Sequence, residues 1–106
     1  MSDFNLADLD AIIAGRAGAT AEASYTKSLL DAGPSRVAKK MGEEAVELVI
    51  AAVEGERREI VLESADLIYH LLVLLRSREI PLQDVLNELA SRTSRSGHAE
   101  KAARKG

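Results

Sequence analysis

The chain has no cysteine. That excludes disulfides, thiolate zinc sites and cysteine nucleophiles, and it suits a reducing cytosol. Aromatic residues are scarce, with one phenylalanine, two tyrosines and no tryptophan among 106 residues. There are only two prolines, Pro34 and Pro81, and both fall at apparent helix edges. Neither sign of charge prevails: 14 basic residues face 17 acidic ones, a formal net charge of −3. The global basic field that nucleic-acid binding draws on is therefore missing. No stretch is apolar enough to cross a membrane. The longest apolar run, Leu67 to Leu75, is interrupted by His70 and is about half the ~20 residues a span requires. The start, Met1-Ser2-Asp3-Phe4-Asn5, lacks a basic region leading into an apolar core and is not a signal peptide. The expectation is a cytoplasmic chain, one domain over residues 1–106, with neither nucleic acid nor membrane as partner.

What remains is rich in Ala, Leu, Glu, Lys and Arg and reads as helix. Leu6, Leu9, Ile12 and Ile13 recur at helical spacing, Asn5 with Asp8 supplies an N-terminal cap, and Gly15 is expected to end this first helix. Residues 15–22 show no period and read as a mobile loop. Ser24 to Ala32 is a short helix with Tyr25, Leu29 and Leu30 inward, stopped by Gly33-Pro34. A long helix follows from about Ser35 to Glu54. Its apolar face is Val37, Met41, Ala45, Leu48, Val49 and Ala52, and Gly42 is expected to mark close helix packing. Gly55 turns the chain into a fourth helix, roughly Glu56 to Arg78, that is apolar almost all round from Ala65 to Leu75. Pro81 opens a last helix, with Leu82, Val85, Leu86 and Leu89 buried. The tail, residues 92–106, is basic and has no apolar face. The fold expected is an all-α antiparallel bundle of four to five helices. The surplus apolar surface of the helix around 65–75 predicts a homodimer.

Two acid pairs stand out against this pattern. Glu44 and Glu47 lie three residues apart on one helix, Glu63 and Asp66 three apart on the next, so each pair shares a face. The Gly55 turn lets the two helices fold back and bring the four carboxylates together. A line of acids is usually a solvated face. Here Glu63, Asp66 and His70 form one stripe at i, i+3, i+7 on a helix otherwise strongly apolar, which favours a metal site. Clustered hard oxygen ligands suit Mg²⁺, with Mn²⁺ able to substitute. Lys40 pairs trivially with Glu44 at i, i+4, or else joins Arg36, Lys39 and the tail bases Arg95 and Lys101 in meeting phosphate oxygens. Acids to hold a divalent ion and bases to neutralise the remainder are the two halves of a polyphosphate site. His70 reads first as a hydrogen-bonded core residue and second as a substrate contact. No His-Asp pattern frames any serine, and no glycine-rich phosphate loop is present.

Lys40-Met41-Gly42-Glu43-Glu44-Ala45-Val46-Glu47 followed by Glu63-Ser64-Ala65-Asp66 resembles the E-x-x-E … E-x-x-D signature of the all-α nucleoside-triphosphate pyrophosphatases, the MazG-like superfamily. Ser24-Tyr25-Thr26, Ser28-Leu29-Leu30, Gly33, Ala65 through Leu72, and Arg95-Ser96-Gly97 with Glu100-Lys101-Ala102 narrow the likeness to the phosphoribosyl-ATP pyrophosphatase family. It runs from about Ala7 to Arg104. His98 stands where that family usually has an apolar residue. The resemblance implies Mg²⁺-dependent hydrolysis of phosphoribosyl-ATP to phosphoribosyl-AMP and pyrophosphate, the second step of histidine biosynthesis. It implies Glu44, Glu47, Glu63 and Asp66 as metal ligands, with Glu43 a neighbouring acid; Glu43 and Glu44 are the candidate catalytic residues. It also implies a freestanding form without the cyclohydrolase to which some relatives are fused. The alternatives are a housekeeping nucleoside-triphosphate pyrophosphatase of the same superfamily and a non-enzymatic helical dimerisation module.

Overall fold

The structure, a computed structural model, describes residues 3–94. Five helices follow in order: α1 (Leu6–Arg16), α2 (Tyr25–Ala32), α3 (Pro34–Glu54), α4 (Arg57–Ser77) and α5 (Leu82–Thr93), with no strand among the described residues. The all-α expectation holds. Asn5 caps α1 as a reciprocal box: its side chain accepts from Asp8 N–H at 2.9 Å, and its own N–H donates to the Asp8 carboxylate at 3.1 Å. Ser24 caps α2 by accepting from Lys27 N–H at 3.2 Å.

Where helices stop is decided by backbone angles more than by glycine as such. Gly15, expected to end α1, stays inside its last turn, and the N–H of Ala17 donates to Ile13 O at 3.0 Å. A glycine weakens a helix without breaking it unless its φ turns positive. That happens at Gly33 (φ 94°), between α2 and α3, and at Gly55 (φ 78°), whose N–H donates to Ala51 O at 3.0 Å as a left-handed cap. Pro34 occupies the first turn of α3. Pro81 is extended (ψ 140°), so it caps α5 and the helix begins one residue later, at Leu82.

The Gly55 turn folds α4 back along α3, and this hairpin is the largest interhelical contact in the molecule. The core lies toward the end of the hairpin far from that turn. Ile13, Leu29, Val37, Leu72, Val73 and Leu82 are buried there, with Leu9, Leu30, Tyr69, Leu74, Leu75 and Leu86 packed around them. Helix α4 thus buries its all-round apolar stretch against α1, α2 and α5 of the same chain. Ile68 and Leu71 remain partly open.

Four expectations about packing are corrected. The inward face of α3 is rotated toward the acids: Val37, Glu44 and Ala51, spaced at sevens, are its buried residues, whereas Val49 is 61% exposed and Ala52 is exposed. Seven residues are two helical turns, so one straight seam selects positions that a count of apolar residues does not. Tyr25 is not interior but 53% exposed, and Leu89 is half exposed. Gly42 marks no close packing within the chain, since a Cβ built there meets nothing within 4 Å.

These angles separate two glycines in a thermal melt. Gly42→Ala is expected to stabilise the protein by about 1 kcal/mol from helix propensity. Gly55→Ala should destabilise it by about 1–2 kcal/mol, because an L side chain resists the left-handed conformation. A fall in Tm for Gly42→Ala would contradict the open space seen around that position.

Candidate active site

The seam that buries Val37, Glu44 and Ala51 on α3 is met on α4 by Glu63, Asp66, His70 and Val73, a run at helical spacing. Because α3 and α4 run antiparallel from Gly55, Glu44 comes level with Glu63 and Asp66. One carboxylate oxygen from each of the three lies within 4.8 Å of the others. Glu44 is buried, Glu63 half-buried and Asp66 open to solvent. Glu63 Oε2 is fully buried with no hydrogen-bond partner. A buried acceptor without a donor calls for a cation or a proton.

The donor set fits a hard divalent ion: one carboxylate oxygen from each of three acids, gathered within 4.8 Å, is the kind of ligand such an ion prefers. Glu47 lies outside this triad, yet it contacts Glu63 and is the largest cause of that residue's altered acidity. The Glu63 carboxyl is pushed up to about 7, first by sharing a proton with Glu47, then by loss of water, then by Glu44 and the negative charge of both.

Cations border the acids on one side. Lys40 Nζ is 3.5 Å from Glu44 Oε1 and 3.9 Å from Glu43 Oε1. The neighbouring Tyr25 oxygen, followed by the Glu44 carboxylate, holds the Lys40 ammonium above its ordinary pKa. Arg36, Lys39 and Lys40 line a cleft of about 500 Å³ together with Tyr25, Ser28 and Glu43. Glu43 therefore faces this cationic cleft and stands outside the carboxylate triad.

Behind the triad lies a polar aromatic cluster. His70 is buried, and its Nδ1–H donates to Asp66 O at 2.7 Å. A carbonyl only accepts, so the neutral ring leaves Nε2 to accept from the Tyr25 hydroxyl at 3.1 Å. The Thr26 and Tyr69 hydroxyls are hydrogen-bonded, and the rings of Tyr25 and Tyr69 lie 6.3 Å apart and 17° from parallel. His70 is thus the satisfied core histidine of the first reading. Tyr25, which the sequence pattern assigned to the interior, is the residue at the site that was missed. The expected phosphate contacts Arg95 and Lys101 lie outside the described residues.

Paired carboxylates on an all-α hairpin, with cations along one flank, suit a helical polyphosphate site. Comparison with known proteins narrows it. The profile of the family described as phosphoribosyl-ATP pyrophosphohydrolase matches residues 6–93. A phosphoribosyl-ATP pyrophosphatase of Methylobacterium nodulans is 57% identical over 99% of this chain and 98% of its own length. One of Rhizobium meliloti is 57% identical over 98% and 97%, and phosphoribosyl-ATP pyrophosphatase 1 of Rhodopseudomonas palustris is 55% identical over 99% and 98%. The chain belongs to the phosphoribosyl-ATP pyrophosphohydrolase family.

The acidity of Glu63 has a signed consequence. Between about pH 4.5 and 7 the folded metal-free protein holds a proton that the unfolded chain has released. Its stability should therefore fall as pH rises through that window and level off above it. Denaturant titrations across pH, compared with those of Glu63→Gln, isolate the effect: the parent-minus-variant difference should decline from pH 4.5 to 7. A flat difference would contradict the shared proton.

Proposed function

We propose that this chain hydrolyses phosphoribosyl-ATP between its α and β phosphates, releasing phosphoribosyl-AMP and pyrophosphate, as the second step of histidine biosynthesis. The observation that carries the reading is the meeting of Glu44, Glu63 and Asp66, with an orphaned buried oxygen, beside a cleft lined by Arg36, Lys39 and Lys40. Family membership and the printed names of full-length relatives support it.

Glu44, Glu63 and Asp66, with Glu47 beside them, are the residues that would hold Mg²⁺, with Mn²⁺ an acceptable substitute. The ion supplies charge screening and polarisation at the phosphoryl oxygens. The rest falls to the chain. A water beside the acids loses its proton to one of them, Glu44 or the neighbouring Glu43, and attacks the α phosphorus in line. The bond from that phosphorus to the bridging oxygen breaks, and pyrophosphate leaves with its new charge met by Lys40, Arg36 and Lys39. His70, buried and hydrogen-bonded to Tyr25 and to the backbone of Asp66, touches no phosphate in this scheme. Lys40, which pairs with Glu44 and Glu43, would be free to turn to the substrate with a divalent ion held by Glu44.

The reaction belongs to the cytoplasm, in keeping with a cysteine-free chain in which no described helix is long and apolar enough to cross a membrane. The working form is a homodimer. Val46, Val49 and Val53 line the side of α3 turned away from the acids, and all three are more than half exposed. With Val61, Ile68 and Leu71 of α4 they leave more apolar surface open than a stable monomer usually tolerates. Sedimentation at working concentrations should give twice the chain mass, and a monomer throughout would remove the dimer.

A substrate panel read by released pyrophosphate tests the reaction. Phosphoribosyl-ATP should be cleaved far faster than the common nucleoside triphosphates, and Glu44→Gln or Asp66→Asn should cut turnover by about 100-fold or more. Equal rates on ordinary triphosphates would point instead to a housekeeping pyrophosphatase. Unchanged turnover in both variants would sink the metal-cluster mechanism.

A further inference from the structure

We propose that the ring of Tyr25 is the surface on which the purine of the substrate stacks, making it the residue that distinguishes a nucleotide from a bare polyphosphate. The inference rests on the reading of the site given above and adds to it a place for the base.

Tyr25 is held by its tip and open on its body. Its hydroxyl is tied to His70 Nε2 at 3.1 Å, and the His70 ring is tied in turn to the backbone of α4 at Asp66 O. Yet 53% of the residue's surface remains exposed. Tyr69 lies nearly parallel on one side, at 17° and 6.3 Å between ring centres, and His70 meets both rings edge-on. A planar group laid on the free face of Tyr25 would extend that stack by one layer. A ring whose orientation is already fixed loses little entropy on gripping a base, and bases stack on aromatic rings irrespective of their hydrogen-bonding edges.

Position supports the same conclusion. Tyr25 is the one aromatic residue lining the cleft that carries Arg36, Lys39 and Lys40. At about 500 Å³ that cleft is in the size range of small-molecule sites. His70 is one helical turn from Asp66, about 6 Å along the axis, so Tyr25 stands from the acids by that turn and one hydrogen bond. With the α phosphate at the carboxylates and the β and γ phosphates on the cations, the base, one ribose beyond the α phosphate, is within reach of this ring. The competing explanation is that Tyr25 only ties α2 to α4. That explanation accounts for the hydroxyl but leaves the open face without a purpose.

The test compares ligands with and without a base, using the full chain and three variants. ATP and inorganic tripolyphosphate serve as competitive inhibitors of phosphoribosyl-ATP hydrolysis. Tyr25→Leu removes the π face at similar bulk. It should raise KM and the ATP inhibition constant about ten-fold, while kcat and the tripolyphosphate constant stay within about two-fold. Tyr25→Phe and Tyr25→Trp keep a ring and should stay within about three-fold of the parent for ATP. Because the chain has no tryptophan, Tyr25→Trp also provides a single fluorescent reporter, quenched by ATP and not by tripolyphosphate. This readout requires neither turnover nor the Leu variant to fold. The proposal is overturned if Tyr25→Leu weakens both inhibitors alike or neither, or if the tryptophan fails to distinguish them. Failure of the parent enzyme to cleave phosphoribosyl-ATP would instead count against the reaction assigned above, and the ATP–tripolyphosphate comparison in the tryptophan variant would still be readable.

Discussion

The structure depends on a conflict that its own sequence builds in. An antiparallel helix pair is ordinarily closed by apolar side chains along its seam, and this one carries carboxylates there. Glu44 takes the buried position two turns from Val37 and two from Ala51, and Glu63 and Asp66 meet it from α4. Acids so placed repel one another and give up water, and Glu63 responds by binding a proton near neutrality. A divalent ion resolves the conflict more completely than a proton, because it satisfies several oxygens together.

The remaining elements make that arrangement tolerable. The hydrophobic core is gathered at the end of the hairpin away from Gly55, where α1, α2 and α5 cover Leu72 and Val73. The stretch near the turn is held by little besides α3 and α4 themselves, and its outward faces stay apolar and open. A second copy placed there would brace the acid-bearing segment from outside. Stability is thus concentrated at one end of the hairpin and strain in its middle, as is common where function competes with packing.

Much of this was legible in the residues. The cap at Asn5, the turn glycines Gly33 and Gly55 and the spacing that brings Glu44 level with Glu63 and Asp66 are local signals, and local chemistry realises them. What escaped was set by partners distant in sequence. The face of α3 was misjudged because apolar counting rewards Val49 and Ala52, whereas the seam with α4 selects Glu44 and Ala51. Gly15 looked like a stop because glycine often is one, but its backbone stays helical. Tyr25 looked like core because aromatic residues usually are. Its position follows from a hydrogen bond to a histidine 45 residues away, which no local pattern encodes.

The most direct measurement of the central claim is anomalous diffraction from crystals soaked in Mn²⁺, with the chain otherwise intact. A peak bounded by carboxylate oxygens of Glu44, Glu63 and Asp66, and lost in crystals of Asp66→Asn, is the result predicted. Ordered electron density with those three side chains turned apart and manganese bound elsewhere, or nowhere, would contradict the account.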